Sequence, residues 1–367
     1  MLEAVGWNSY FEEQFRKVKT SNISVPARVI RAEKSAYRVW FHEGEQWATL
    51  SGKLHHYLRG GELPVVGDWV VIQADSGTQN AVIKAVLPRK TQFARKAPIS
   101  GGRKLGKIGG KETIIGGKTE QQVIVANIDI LFCLIGADRE INLRFIERML
   151  TSCGDGGIRL VLLLNKIDVC NEQELNEIVK NISHVALDTP LHCISALHHQ
   201  GLQSLNGYLG NGVTLALVGA SGVGKSTLIN HFLGVEQLQT GDVREKDNKG
   251  RHTTTWRDLL ILPNRGAIID TPGIREMQIW ATEEDVSRTF TDIEALAQLC
   301  RFRNCTHTTE PDCAVLQAIE DRELDEKRFE NYLKLQHEIH YLQSRQKGMT
   351  KREALRTKMK MKASGRW

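Results

Sequence analysis

No uninterrupted hydrophobic run in the 367-residue chain approaches the roughly 20 residues that a bilayer-spanning helix needs. The first residues, MLEAVGWNSYFEEQFRK, do not read as a secretory leader, being acidic and aromatic where a leader is basic and then apolar. Cysteine is sparse, with seven residues and no export signal, which argues against a disulfide framework. A cytoplasmic protein with reduced thiols is the expectation. Cys133, Cys153, Cys170 and Cys193 are scattered, mostly in apolar contexts, and read as small buried hydrophobes. With 41% hydrophobic and 25% charged residues the chain reads as soluble and globular, with room for two or three domains. Nothing in it suggests more than a monomer.

Acidic residues are nearly missing from two stretches. Residues 344–367 hold nine Lys/Arg against the single acid Glu353, and residues 89–118 hold nine against Glu112. The formal net charge is only +6, so the tail carries +8 and the rest of the chain −2. A solvated, disordered tail is the bland reading. Two separate basic clusters point instead to the phosphate backbone of RNA or DNA, since each neutralised phosphate releases condensed counterions.

Residues 1–22 form an N-terminal extension. Over 23–93, five short β-rich runs (VPARVIRA, AYRVWF, EQWATLSG, VGDWVVIQA and NAVIKAVL) alternate with turn signals. The economical reading is a five-stranded OB-fold β-barrel, an SH3-like barrel being the alternative. Trp40, Phe41, Trp47 and Trp69 are candidate stacking platforms for bases, although most are expected in the core. Residues 94–120, rich in glycine pairs and lysines, read as a mobile basic loop or linker. From 121 to 281 apolar strands alternate with amphipathic helices, the pattern of a mostly parallel α/β sheet, whose ligands bind beyond the carboxyl ends of the strands. The remainder divides into a helical, metal-binding domain over 282–345 and a basic tail over 346–367.

The chemistry sits in the segment over 121–281. Gly219, Ala220, Ser221, Gly222, Val223, Gly224, Lys225 and Ser226 match the phosphate-loop pattern G-x-x-x-x-G-K-[ST], with Thr227 following. Small residues let backbone N–H groups wrap phosphates, Lys225 reaches the β/γ-phosphates, and the Ser226 hydroxyl coordinates Mg²⁺. Asn165, Lys166, Ile167 and Asp168 spell N-K-x-D at the end of an apolar strand. An Asp there accepts from N1–H and the exocyclic amine of guanine, which adenine cannot supply. Ser195 and Ala196, followed by Leu197, offer backbone to the guanine oxygen. DTPG supplies Asp270 as a water-mediated Mg²⁺ ligand and Gly273 for the γ-phosphate. One of Thr253, Thr254 or Thr255 completes the Mg²⁺ shell, and the sequence does not select among them. Base recognition thus precedes the phosphate loop, the reverse of ordinary GTPases. The order is that of a circular permutation, which keeps every contact if strands and helices keep their places.

Cys300, Cys305, His307 and Cys313 read C-x4-C-x-H-x5-C, a set suited to a closed tetrahedral zinc site, against scattered thiols as the alternative. Arg301 and Arg303, between ligands, are placed to meet RNA. Where many GTPases carry a water-positioning glutamine after D-x-x-G, Ile274 stands here and can neither donate nor accept a hydrogen bond, so slow unassisted turnover is expected. His252, from the segment between the phosphate loop and DTPG, is one candidate for that task, a packing or RNA-contacting role being the other.

A β-barrel, then NKID, GASGVGKST, GRHTTT and DTPG in permuted order, then a Cys/His finger, together resemble the RsgA (YjeQ) family of small-ribosomal-subunit assembly GTPases over nearly the whole chain. The resemblance implies a multidomain α/β protein: OB-fold barrel, circularly permuted P-loop GTPase domain and C-terminal helical zinc-binding domain. It further implies one structural zinc on the four finger residues, and rRNA binding by the barrel and finger. GTP hydrolysis with Mg²⁺, stimulated by the small ribosomal subunit, and a role in late subunit maturation follow from it too. The glycine/lysine segment 100–118 looks longer than the family pattern. The rival readings are an RNA-binding module with a structural guanine nucleotide, and a GTPase acting on another RNA.

Overall fold

A computed structural model describes residues 2–18, 23–33, 36–58, 63–74, 80–96, 103–108, 111–115, 121–234, 258–262, 264–271, 286–287, 289–302 and 305–336. The chain forms two compact units, Met1–Arg95 with Gln122–Gln278, and Lys96–Gln121 with Ile279–Trp367. Among the described residues no helix is long and apolar enough to cross a membrane.

In the first unit, β1 (Ser24–Ala32), β2 (Tyr37–Phe41), β3 (Gly44–Leu50), β4 (Trp69–Ala74) and β5 (Asn80–Val86) run in the order β1-β2-β3-β5-β4, and β4 closes back on β1. The β3–β5 pair is parallel and the others antiparallel. Together with the short helix over Gly52–Tyr57, capped by the Ser51 hydroxyl, this is the OB topology. Alternation explains the filling: Tyr37, Val39 and Phe41 of β2 point inward with Ala27, Val29, Val70, Ile72 and Ile83. Trp69 faces the other way and is fully buried beneath α1 (Ser9–Val18), against Val5, Phe11 and Phe15. Its ring lies 4.8 Å from that of Trp7. Trp69 and Phe41 are therefore core, Trp40 is half-buried, and of these four aromatics only Trp47 is exposed.

One bridge, Arg31 opposite Asp258, carries the barrel into a six-stranded sheet ordered β12-β11-β10-β13-β15-β14. These are β10 (Ile130–Gly136), β11 (Arg159–Asn165), β12 (Leu191–Ile194), β13 (Thr214–Gly219), β14 (Asp258–Leu262) and β15 (Gly266–Asp270). All pairs are parallel except β14–β15. Every residue of β10 and β13 is buried, because helices cover both faces. α3 (Leu143–Gly156) and α4 (Glu172–Ala186) pack on one face. On the other lie α5 (Lys225–Leu233) and a 3₁₀ turn over Leu202–Tyr208. Cys133 and Cys153 are buried as expected, and burial pushes the Cys133 thiol up to about 12; Cys170 and Cys193 are half-buried.

The segment expected as a basic loop is partly strand. β6 (Gln92–Lys96) pairs with β9 (Gln121–Ala126), and β7 (Arg103–Ile108) pairs antiparallel with β8 (Lys111–Ile115). Gly109-Gly110 between two short runs ending in isoleucine is a hairpin signal, which the glycine and lysine content obscured. In the second unit, α6 (Thr291–Ala297), α7 (Ala314–Glu320) and a helix over 326–336 surround Phe290, Ile293, Val315, Phe329 and Tyr332. Arg328 is buried there and donates to Asp292 at 2.7 and 2.8 Å.

Candidate nucleotide and metal sites

The sequence-predicted phosphate loop joins β13 to α5 and depends on positive backbone angles at Gly219, Gly222 (φ +71°) and Gly224. Gly219 has φ +155°, and a Cβ there would stand 2.6 Å from the Leu134 carbonyl; Gly224, at φ +100°, would place one 2.2 Å from Asn165 Nδ2. Ala220, Ser221, Gly222 and Val223 form the turn between them, with Val223 buried and Ser221 exposed. Lys225 opens α5 and donates from Nζ to the carbonyls of Gly219 and Ala220, 2.9 Å each, so its ammonium already lies over the loop that is to hold phosphates. Ser226 and Thr227 follow in the first turn.

Asn165, the last residue of β11, ties three motifs together. It is buried; its amide donates to Val223 O at 2.7 Å and accepts from Ala196 N at 2.9 Å. N-K-x-D, S-A-L and the phosphate loop therefore meet at one place. Ser195 is buried and exchanges two backbone hydrogen bonds of 3.0 Å with Gln200, closing the loop after β12. Lys166 adopts φ +67°, and the 3₁₀ turn Ile167–Val169 then presents Asp168, partly exposed and 3.8 Å from His198 Nε2. Asp270 ends β15 opposite Leu217 of β13, and Thr271 donates to the Leu217 carbonyl. Gly273, Ile274, His252, Thr253, Thr254 and Thr255, with Arg303 and the basic tail, lie outside the described residues.

Sequence reasoning missed Asp138, which follows β10 at the same carboxyl end of the sheet. The position of GAD after an apolar strand was the available signal. Asp138 accepts from Arg139 at 3.1 Å and from Lys166 at 2.7 Å. Hydrogen bonds from Arg139, then Lys166, hold its carboxyl at about 2 against burial, which would raise it.

In the second unit Cys300, Cys305, His307 and Cys313 converge, their ligand atoms all within 4.8 Å of one another. Cys300 Sγ lies 3.8 Å from Cys313 Sγ and 3.5 Å from His307 Nδ1, which is 3.4 Å from Cys313 Sγ. Thiolates about 2.3 Å and an imidazole nitrogen about 2.0 Å from one tetrahedral ion give edges of about 3.8 and 3.5 Å, so the set fits zinc. Burial works against ionisation of Cys300, yet the Val315 and Ala314 amides and the neighbouring thiols bring its pKa below the ordinary value. Arg301 is exposed and pairs with Asp312 at 2.7 Å.

Comparison with known proteins agrees with this arrangement. The RsgA GTPase profile matches residues 111–280. A "Small ribosomal subunit biogenesis GTPase RsgA" of Syntrophotalea carbinolica is 38% identical over 92% of this chain and 89% of its own. The chain belongs to the RsgA family. An RsgA of Methanosarcina acetivorans is 39% identical, covering 92% of this chain and 85% of its own, and RsgA 2 of Vibrio parahaemolyticus is 36% identical over 99% and 95%. Among solved structures, YjeQ from Thermotoga maritima aligns with TM-score 0.58 at 25% identity, over 86% of this chain and 98% of that one. YloQ, described as a circularly permuted GTPase, aligns with TM-score 0.56 at 21% identity over 88% and 96%, and shares the fold.

Proposed function

We propose that this protein is a GTP-hydrolysing assembly factor that binds the small ribosomal subunit in its GTP form and leaves after hydrolysis. The observation that carries the reading is the Asn165 amide, which fastens the guanine-reading motif and the S-A-L loop to the phosphate loop. The relatives' shared name supplies the subunit.

In this reading Asp168 accepts from the guanine N1–H and amine, and the Ala196 region meets the guanine oxygen. The N–H groups from Gly219 to Ser226 wrap the phosphates. Lys225 exchanges the carbonyls of Gly219 and Ala220 for phosphate oxygens, a swap of neutral acceptors for charged ones that favours the bound state. Ser226 and Asp270 hold Mg²⁺, joined by one of Thr253, Thr254 or Thr255, and Gly273 donates to the γ-phosphate. Mg²⁺ supplies charge neutralisation at the phosphates. Cys300, Cys305, His307 and Cys313 hold one structural zinc, and Arg301 with the barrel and basic segments supplies rRNA contacts. Ile274 cannot orient water, so unassisted turnover is slow, and His252 or a group on the subunit completes the site.

Sedimentation with separated ribosomal subunits in the presence of a non-hydrolysable GTP analogue tests the partner. Co-migration with small subunits is expected, and co-migration with large subunits would reject the assignment. Small subunits should accelerate hydrolysis, and Lys225→Ala should lower the accelerated rate by about two orders of magnitude. A nucleotide that stays intact in single-turnover mixtures with subunits would make its role structural instead.

A further inference from the structure

We propose that Asp138 is a positioning residue for guanine nucleotides, holding Lys166 in place as one wall of the base pocket; this rests on the reading of Asp168 as the guanine acceptor. Lys166 lies two residues before Asp168 and enters the loop with φ +67°. Its ammonium reaches Asp138 Oδ2 at 2.7 Å, and both side chains are about one-third exposed or less. A lysine presents a four-carbon apolar stem, suited to cover the flat face of a base, with a charged head that needs an anchor. Left free, that stem would lose rotamer freedom on ordering when nucleotide arrives. Fixing the head beforehand lowers that cost.

The anchor is itself built in. Ala137 N donates to Asn165 O at 2.8 Å, and the Cys170 thiol lies 3.6 Å from Ala137 O, so the turn carrying Asp138 is fastened to the N-K-x-D segment on both sides. Gly136 leaves the space into which Asp138 folds: a Cβ there would stand 2.4 Å from Asp138 Oδ1, 3.3 Å from Arg139 Nε and 3.5 Å from Val223 Cγ2 of the phosphate loop. Arg139 reaches both carboxylate oxygens at 3.1 Å, which keeps Asp138 ionised and aimed at Lys166. The arrangement also separates the two lysines of the site. Lys225 rests on neutral carbonyls that phosphates can replace, whereas Lys166 is paired with a carboxylate and kept from the phosphates.

The test is a double-mutant cycle on the full-length protein, read by equilibrium titration with fluorescent GDP and ADP analogues. Asp138→Ala is expected to weaken GDP binding about three- to tenfold, and Lys166→Met, which keeps the stem and loses the charge, by a similar factor. The double variant should be no weaker than Lys166→Met alone. Gly136→Ala should copy Asp138→Ala, and 1 M salt should close most of the gap between Asp138→Asn and the wild type. Additive losses in the cycle, or unaltered GDP affinity in Asp138→Ala with an unchanged melting temperature, would overturn the proposal. If the wild type itself binds the ADP and GDP analogues alike, the Asp168 reading fails first, and the two failures are told apart.

Discussion

At the scale of the residue, the amide of Asn165 connects positions far apart in the chain. It satisfies a carbonyl 58 positions away in the phosphate loop and an N–H 31 positions away after β12. Asn165→Ala leaves both groups buried without partners, at about 1–3 kcal/mol each, so GDP affinity should fall at least tenfold in a fluorescence titration. Asn165→Asp should fail as well, because a carboxylate cannot donate to Val223 O. Gly224→Ala reaches the same end by another route, since its Cβ would collide with that amide at a backbone angle an L-residue resists. Wild-type affinity in all three variants would refute the link. The motif spelling was legible in the sequence because every residue of the G-x-x-x-x-G-K-[ST] pattern belongs to one continuous loop. Partners such as Val223 and Ala196 were not legible, since N-K-x-D reads the same whichever loop its asparagine fastens. Asp138 stayed hidden for the same reason: an acid after a strand acquires meaning only when Lys166 is seen beside it.

At the scale of the element, the strands with clean alternation or continuous apolar runs could be read directly, β2 and β10 most plainly. The β7–β8 pair escaped, because the glycines and lysines of its sequence resemble linker composition. The Cys/His finger lies between these extremes. Its four Cys and His residues were readable as a candidate set, but the loop CRFRNCTHTTEPDC carries few apolar side chains, and its convergence depends on contacts with α7 and the helix over 326–336. Metal is therefore expected to contribute much of its folding free energy. A mercurial reagent should release about one equivalent of zinc per chain, followed by chromogenic chelator absorbance, with partial loss of helical circular dichroism. Cys313→Ala should do the same from the outset. Protein purified without zinc that keeps its full helical signal would contradict this account.

At the scale of the whole molecule, Arg28 unites the N-terminal segment, the barrel and the nucleotide-binding sheet. Its buried guanidinium donates to the carbonyl of Val5, to Gly67 O at 3.3 Å, to Asn127 O at 2.8 Å and to Thr214 Oγ1 at 2.8 Å, at the foot of the strand that ends in the phosphate loop. Burial lowers its pKa to about 10, opposed by Asp129 and Asp68, so it remains charged at neutral pH. Barrel and sheet should consequently melt as one unit. GDP at a hundred times its dissociation constant adds about 2.7 kcal/mol, and the tryptophans of the barrel should report that upward shift along with the sheet. Arg28→Met, which strands several buried acceptors, should cost on the order of 3 kcal/mol and split the transition in two. A barrel that melts at the same temperature with and without GDP in the wild-type protein would dismiss Arg28 as the coupling. The rotated strand order has a further consequence, in the timing of synthesis. β10, β11 and β12 leave the translating ribosome before β13 does, so the growing chain holds a half-built sheet whose β10 edge waits unpaired. Its nucleotide pocket cannot close until β13 slots into that edge, and a nascent chain halted before then would be left with a sticky flank rather than a weak enzyme.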